Sequence, residues 1–445
     1  MLVHYYQPVG RTAVELAESV ETGLREGLLV PGEHLPPVRE LAATAGVSPG
    51  TVAAAYRLLR SRGVTLADGR RGTRIRERVT VSGRATDAAA LPPGVTDCST
   101  GNPDPALLPD LGPLLRRSRY EVVLYGSAPC LPELAEATRL RLAADAVPVE
   151  DVTATFGALD AIERVLASSL RPGDRVAVED PGWAALLDLV TASGFTPAPI
   201  AVDDEGLAPA ALERALARGT RVVVVTSRAQ NPTGAAISDD RARKLRSLLS
   251  EYPDVTVLED DHGVGIVDEP LRPVVGTTRH WAFVRSAAKA YGPDLRIAVV
   301  AGDEATISRI DARLALGAGW VSHLLQRLLV DLWQDPATEA LLHLAVGQYA
   351  ARRLGLLSAL GERNIAARGR SGLNCWIPVE DEAATVGALL REGWLVAPGS
   401  RFRLGAQPAI RVTTGALAVD RMPELATAIG AAIGRAPRSG ARRLA

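Results

Sequence analysis

Five short runs of β-branched and apolar residues constrain this chain most: RVAVED (175–180), RVVVVTS (221–227), VTVLED (255–260), WAFVRS (281–286) and RIAVVAG (296–302). Each is bounded by turn or polar residues, and helical stretches lie between them. Runs with no polar alternation are buried on both faces, so they predict a mostly parallel sheet with helices on both sides. Such a sheet receives ligands outside the carboxyl ends of its strands. At 445 residues the chain exceeds one ordinary core, and two or three domains are expected.

Residues 10 to about 78 follow another pattern. Val14, Ala17, Val20 and Leu24 recur at helical spacing, and Val38, Leu41, Ala42 and Ala45 predict a second, shorter helix. Gly46 supplies a turn. Ser48 is an N-cap with Pro49 at the first helical position, and Val52, Tyr56 and Leu59 line the helix that follows. Two short strands, 63–66 and 73–76, flank the basic tip ADGRRG. Residues 1–78 carry eleven Arg against eight Asp plus Glu, a local charge of +3, whereas the whole chain is −1. Any nucleic-acid contact must therefore be local. The helix beginning at Ser48 would enter the major groove by its N-terminus, and Arg70 and Arg71 at the hairpin tip would reach the minor groove or the backbone. Ser48, Thr51 and DNA shape would carry specificity there.

Residues 79–97, rich in Ala, Thr, Gly and Pro, read as a linker. The second domain runs over 98–435, with a smaller α+β part at 335–435, and 436–445 read as a disordered tail. Three scattered cysteines, Cys98, Cys130 and Cys375, suit a reducing compartment, and the start of the chain lacks a signal-peptide core. A cytoplasmic location is expected. None of the six histidines falls in a metal-ligand pattern, so no metal is expected.

Of 50 Lys plus Arg, only Lys244 and Lys289 are lysine. Arginine cannot form a Schiff base, so a chain that writes its cations as arginine keeps a lysine where amine chemistry is needed. Lys289 stands in RSAAKAYGPDLR, with Ser286 three before and Arg296 seven after, placed to hold a phosphate. Gly157 and Ala158 open a helix whose free N–H groups suit the same anion. Trp183 follows one strand and would lie flat on a pyridine ring. Asn231 (in AQNPTG) and Asp260 (in VLEDDHG) end successive strands, and a carboxylate there keeps a pyridine nitrogen protonated. Asp261 is able to exchange roles with Asp260.

The wording LPPVRELAATAGVSPGTVAAAYRLLRSRG resembles the GntR family of bacterial regulators, and NPTG, EDD and SxxK followed by LR resemble the fold-type I aminotransferases over 98–435. Together they resemble the MocR group of chimeric regulators. The resemblance implies an N-terminal winged helix-turn-helix (helices with a β-hairpin wing) joined to an α/β fold-type I pyridoxal 5′-phosphate (PLP)-dependent transferase domain with a smaller C-terminal α+β subdomain. It places Arg39 against DNA, and it makes Pro49 and Gly50 departures from an arginine or polar side chain that many relatives present, so base contacts there are few. Lys289 is then the catalytic lysine that bonds PLP, Asp260 pairs with the ring nitrogen, Asn231 bonds the ring hydroxyl and Trp183 stacks on the ring. Ser286, Arg296, Gly157 and Ala158 surround the phosphate, and Tyr125 contacts the phosphate of a neighbouring subunit in a head-to-tail homodimer. Arg411, in PAIRVTTGAL, matches the arginine that clamps a substrate carboxylate. His262 occupies the position of a tyrosine that bonds the ring hydroxyl, and the alanines 287, 288 and 158 replace bulkier or hydroxyl residues. These departures put efficient transamination in doubt. The expected function is a DNA-binding transcriptional regulator that senses an amino compound through external aldimine formation on Lys289-bound PLP. Two alternatives stand beside it: a working aminotransferase with an accessory DNA-binding domain, and a sensor of PLP itself that controls vitamin B6 synthesis.

Overall fold

The computed structural model describes residues 6–61, 64–67, 72–75, 91–119 and 121–435, and the chain divides into two compact units. In the N-terminal unit, α1 (Ala13–Arg25) starts at Thr12, whose side chain accepts from the Glu15 N–H. Glu15 in turn accepts from the N–H of Arg11, the residue before the cap, at 2.8 Å, so the chain is tied to the helix start from both directions. α2 (Val38–Ala45) stops at Gly46, which adopts φ +66°, a left-handed conformation that suits glycine. α3 (Pro49–Ser61) begins under Ser48, whose Oγ accepts from the Thr51 N–H at 3.1 Å. β1 (Thr65–Ala67) and β2 (Thr73–Ile75) pair antiparallel. Leu16, Ala17, Val20, Leu41, Val52, Leu59 and Ile75 form the buried core. Val14, expected on that face, is exposed, because the buried stripe of α1 centres on Leu16, Ala17 and Val20. The expected hairpin tip with Arg70 and Arg71, most of the expected linker and the tail 436–445 lie outside the described residues.

In the larger unit, β3 (Thr96–Cys98) lies where the sequence suggested linker. It pairs with a strand 300 residues away in the smaller sheet, so the segment called linker ends inside folded structure. The main sheet contains β4 (Asp151–Thr155), β5 (Arg175–Asp180), β6 (Thr196–Asp203), β7 (Gly206–Leu207), β8 (Thr220–Thr226), β9 (Thr256–Asp261), β10 (His280–Ser286) and β11 (Ala298–Gly302). Their order is β4-β11-β10-β9-β8-β5-β6-β7. The neighbours β5, β8, β9 and β10 are parallel. β11, expected within a mostly parallel sheet, runs antiparallel to β10, and β4 antiparallel to β11. β4 and β6 were not legible as strands. The parallel centre is what positions the site, because β5, β8 and β9 all end at one edge and a side chain from each end can converge there.

One apolar cluster packs Val257 and Phe283 with Leu245 and Leu249, and another packs Val299 with Leu134 and Leu329. The smaller part joins the helices Pro336–Gly361, Glu382–Arg391 and Met422–Arg435 to a sheet of β12 (Asn374–Pro378), β13 (Trp394–Pro398) and β14 (Ala409–Thr413), in the order β12-β14-β13-β3. Leu356, Leu389 and Leu425 fill its core. No helix among the described residues is long and apolar enough to cross a membrane.

Candidate functional site

A cavity of about 240 Å³ opens at the carboxyl ends of the parallel strands, lined by Lys289, Trp183, Asn231, His262, Arg401 and Arg411 among others. Lys289 sits on the one-turn helix Ala288–Tyr291 just after β10, and its Nζ donates to the Gly101 carbonyl. Gly101, at φ +72°, also lets Arg411 lie on the backbone: a Cβ there would stand 3.4 Å from its Nη1. Burial, and then the Arg411 guanidinium, push the Lys289 amine down to about 8. A useful fraction is thus neutral, and nucleophilic, near neutral pH. Arg411, on β14, is buried; Nη1 donates to Asn231 Oδ1 at 3.0 Å and Nη2 to the Ser99 carbonyl.

The two adjacent acids at the end of β9 are in different situations. Asp261 is fully buried between Arg228 (2.9 and 3.0 Å) and Arg285 (3.1 Å). Burial opposes its charge, but the two guanidiniums prevail and hold its carboxyl down at about 2. Asp260 has Oδ2 on His262 Nδ1 at 2.7 Å, and a buried Oδ1 with no partner. A buried carboxylate oxygen without a donor costs free energy unless a ligand supplies one, so Asp260 fits a protonated ring nitrogen and Asp261 does not.

His262 lines the cavity. Its Nδ1 faces the Asp260 carboxylate, and its Nε2 faces the Ala229 carbonyl at 2.9 Å. The Asp260 carboxylate and the Ala229 carbonyl are both acceptors, an arrangement that favours the charged form of the imidazole. Burial works against that charge, yet Asp260 raises the group above its ordinary value. In this arrangement Asp260 and Ala229 engage both ring nitrogens.

The residues expected around a phosphate do not line that cavity. Gly157 (φ +95°) leads into the helix Ala158–Ser169, and the Arg296 guanidinium lies 3.6 Å from where a Gly157 Cβ would be. Arg296 is exposed, and its Nη2 donates to the Phe156 carbonyl at 3.4 Å. Ser286 accepts from the Ala288 N–H at 3.3 Å and lines a separate, much smaller cavity with Arg285 and Tyr291. Tyr125 is 95% exposed, edge-on to Trp320. In the N-terminal unit Arg39 is exposed on α2, and the Ser48 and Thr51 hydroxyls lie 2.9 Å apart at the exposed start of α3. Sequence reasoning missed Gly101, Arg401 and Phe402, all of which reach the cavity wall or border it from segments without a motif. No cluster able to hold a metal ion occurs among the described residues.

Residues 99–429 match the family of aminotransferases of class I and II, and residues 12–75 match the bacterial regulatory proteins of the gntR family. The chain therefore belongs to the regulators that join a gntR-family helix-turn-helix to an aminotransferase class I and II domain. It is 41% identical, over 96% of its length and 99% of the relative's, to the vitamin B6 salvage pathway transcriptional repressor PtsJ of Salmonella typhimurium. It is 29% identical, over 58% of its length and 59% of the relative's, to the pyridoxine biosynthesis transcriptional regulator PdxR of Corynebacterium glutamicum. Among solved structures it resembles the α-aminoadipate aminotransferase LysN of Thermus thermophilus (TM-score 0.68, 20% identity, 77% of this chain and 92% of that one). PLP is the cofactor of such a domain, and the residues around Lys289 and Asp260 fit it.

Proposed function

We propose that the chain is a PLP-dependent transcriptional regulator that binds operator DNA through its N-terminal unit and senses an amino compound at the Lys289 cavity. The observation that carries this reading is the unpartnered Asp260 oxygen, buried beside a cavity that also holds one of only two lysines in the chain. Bound PLP supplies an electrophilic carbonyl and an electron-accepting ring. Lys289 attaches it, Asp260 accepts the ring N–H, and His262 fixes the Asp260 carboxylate in position. Trp183 closes one side of the cavity. Asn231, freed from Arg411, would bond the ring hydroxyl, and Arg411 would take a ligand carboxylate in its planar fork. Gly157, Ala158, Ser286 and Arg296 would hold the phosphate.

Tyr125 would complete the phosphate site of a second subunit in a head-to-tail homodimer. The exposed apolar side chains of Val122 and Leu124 beside it support that arrangement. The protein works among cytoplasmic DNA. Arg39, Ser48 and Thr51 would contact it, as would Arg70 and Arg71. A second reading, in which PLP itself is the signal, is favoured by the 41% identical relative, named as a repressor of vitamin B6 salvage.

Operator binding measured by fluorescence anisotropy, with no addition, with PLP, and with PLP plus a panel of amino compounds, separates the two. A shift that requires the amine supports sensing, since a ligand moves an equilibrium only by its differential affinity for the two states. A shift with PLP alone supports the second reading, and no shift in any arm refutes both. Sustained release of keto acid from the amine arm would point to a working aminotransferase instead.

Two further outcomes are expected. Uptake of PLP by the apoprotein accelerates about tenfold per pH unit up to about pH 8 and then levels, because only the neutral Lys289 amine attacks the aldehyde. Stopped-flow absorbance checks this, and a flat rate over that range removes the lysine from the step. Arg39→Ala lowers affinity for duplex DNA and reduces the slope of log affinity against log salt by about one. An unchanged slope in a salt titration puts Arg39 outside the interface.

A further inference from the structure

We propose that Gln230, held by Glu179, is a positioning residue that sets Trp183 and Asn231 in register with each other around the cofactor; this rests on the PLP reading above and deepens it. Neither Glu179 nor Gln230 lines the Lys289 cavity, whereas Trp183 and Asn231 both do. The pair therefore acts at one remove.

Two strand ends meet here. Glu179 is the last residue but one of β5, and the turn that presents Trp183 follows it. β8, parallel to β5, ends at Thr226 and leads into the turn that presents Asn231. Glu179 is buried and ties the two ends together: Oε1 accepts from the Thr226 N–H and Oε2 from the Thr226 hydroxyl, each at 2.9 Å. The first turn is tight. A Cβ on Gly182 would collide with the Glu179 carbonyl oxygen, so the chain folds back over Glu179 before it reaches Trp183.

Gln230 is 0% exposed and spends its whole amide on these two turns. Nε2 donates to Glu179 Oε2 at 3.0 Å and to the carbonyl of Pro181, two residues before Trp183, at 2.9 Å. Oε1 accepts from the N–H and the hydroxyl of Thr233, two residues after Asn231, at 3.0 and 2.6 Å. The Pro181 carbonyl only accepts and the Thr233 N–H only donates, so the amide fits in one orientation. Having donated its proton, the Thr233 hydroxyl accepts from the Ala235 N–H at 3.2 Å. The Gln230 backbone closes the same turn, with its N–H on the Ala235 carbonyl and its carbonyl on the Gly234 N–H. One side chain thus fixes the spacing between the turn that carries the indole and the turn that carries the Asn231 amide. Burial pushes the Glu179 carboxyl up to about 7 against the pull of its three donors, so the chain keeps a costly group at this point. Apolar side chains would hold β5 against β8 without that cost; what the hydrogen bonds add is a single fixed geometry.

The test uses the full-length protein and reads the bound cofactor, not turnover. PLP affinity and the circular dichroism of the cofactor's visible band are measured for the parent, for Glu179→Gln, for Gln230→Glu and for the double exchange, beside thermal melts of each apo form. In Glu179→Gln a side-chain amide N–H meets the Gln230 N–H head-on, and in Gln230→Glu two carboxyl groups meet. Each single change should lower PLP affinity about tenfold and reduce the dichroic band at saturating PLP by about half, as befits one buried hydrogen bond that aligns the site. The double exchange rebuilds the bond in the opposite sense, amide on the strand and carboxylate on the turn. It should bring affinity back to within about threefold of the parent, and the dichroism with it. A role in stability alone lowers the melts but leaves affinity and dichroism at the parent's values. That result, or a double exchange no better than the worse single change, overturns the positioning role and leaves the sensing function standing. Absence of any cofactor band in the parent overturns both.

Discussion

Lys289→Ala leaves a folded protein that no longer attaches PLP: its visible absorbance band disappears, and borohydride treatment adds no cofactor mass. The other lysine, Lys244, lies exposed in the helix Asp239–Ser250 and contributes nothing to the cavity wall, so no second side-chain amine stands in. Loss of the covalent bond leaves only the hydrogen bonds and ring contacts, and affinity for PLP should fall by roughly a hundredfold or more, about 3 kcal/mol. The fold itself should not suffer. Because the Lys289 amine is lowered to about 8 in the folded chain from about 10.5 in an unfolded one, the unfolded state binds more protons between those values. The protonated amine therefore disfavours the fold below about pH 8, a cost that fades as pH rises toward 10.5. Apo Lys289→Ala should melt no lower than the parent chain at neutral pH. Lys289→Arg keeps a cation but cannot bond an aldehyde, and it should lose the absorbance band equally. A persisting band, or cofactor mass found on Lys244, would move the assignment elsewhere.

Much of the larger unit was legible because its central strands carry uninterrupted β-branched runs, and these runs turned out to be β5, β8, β9, β10 and β11. Direction was less legible. β11 reads like its parallel neighbours, since burial on both faces leaves the same composition whichever way a strand runs. β6 alternates proline with apolar residues and gave no strand signal, and β3 is three residues whose pairing depends on a partner strand near residue 395. At the site, scarcity singled out Lys289, and spacing singled out Asn231 and Asp260. The sequence favoured Asp260 and left Asp261 able to exchange roles with it; what sets the two acids apart is that Arg228 and Arg285, from other strand ends, pair with Asp261. The sequence could not show that His262 spends both nitrogens on Asp260 and Ala229. Arg401 stands in no motif, and the turn Gly399–Arg401 brings it to the cavity wall.

That contrast between neighbouring acids yields the second large effect. Asp260→Asn should fold normally and bind PLP roughly ten- to a hundredfold more weakly, since it replaces a charged acceptor of the ring N–H, a contact of about 1.5–3 kcal/mol. It also removes the carboxylate that raises the His262 imidazole above its ordinary value, so the His262 ring should titrate at lower pH than in the parent, a change readable in its NMR shifts. Asp261→Asn should behave in the opposite way. It removes the counter-ion that Arg228 and Arg285 share, leaving Asp145, 2.6 Å from Arg285, as the remaining acid, so the apoprotein should melt lower, its stability reduced by up to about 3 kcal/mol. Whatever protein remains folded should still give the cofactor's absorbance band. Thermal melts of both apo variants, set beside PLP titrations, read the two outcomes independently. If Asp261→Asn abolishes cofactor binding in a protein of undiminished stability while Asp260→Asn binds PLP like the parent, the unpartnered oxygen of Asp260 is not the atom that receives the ring nitrogen.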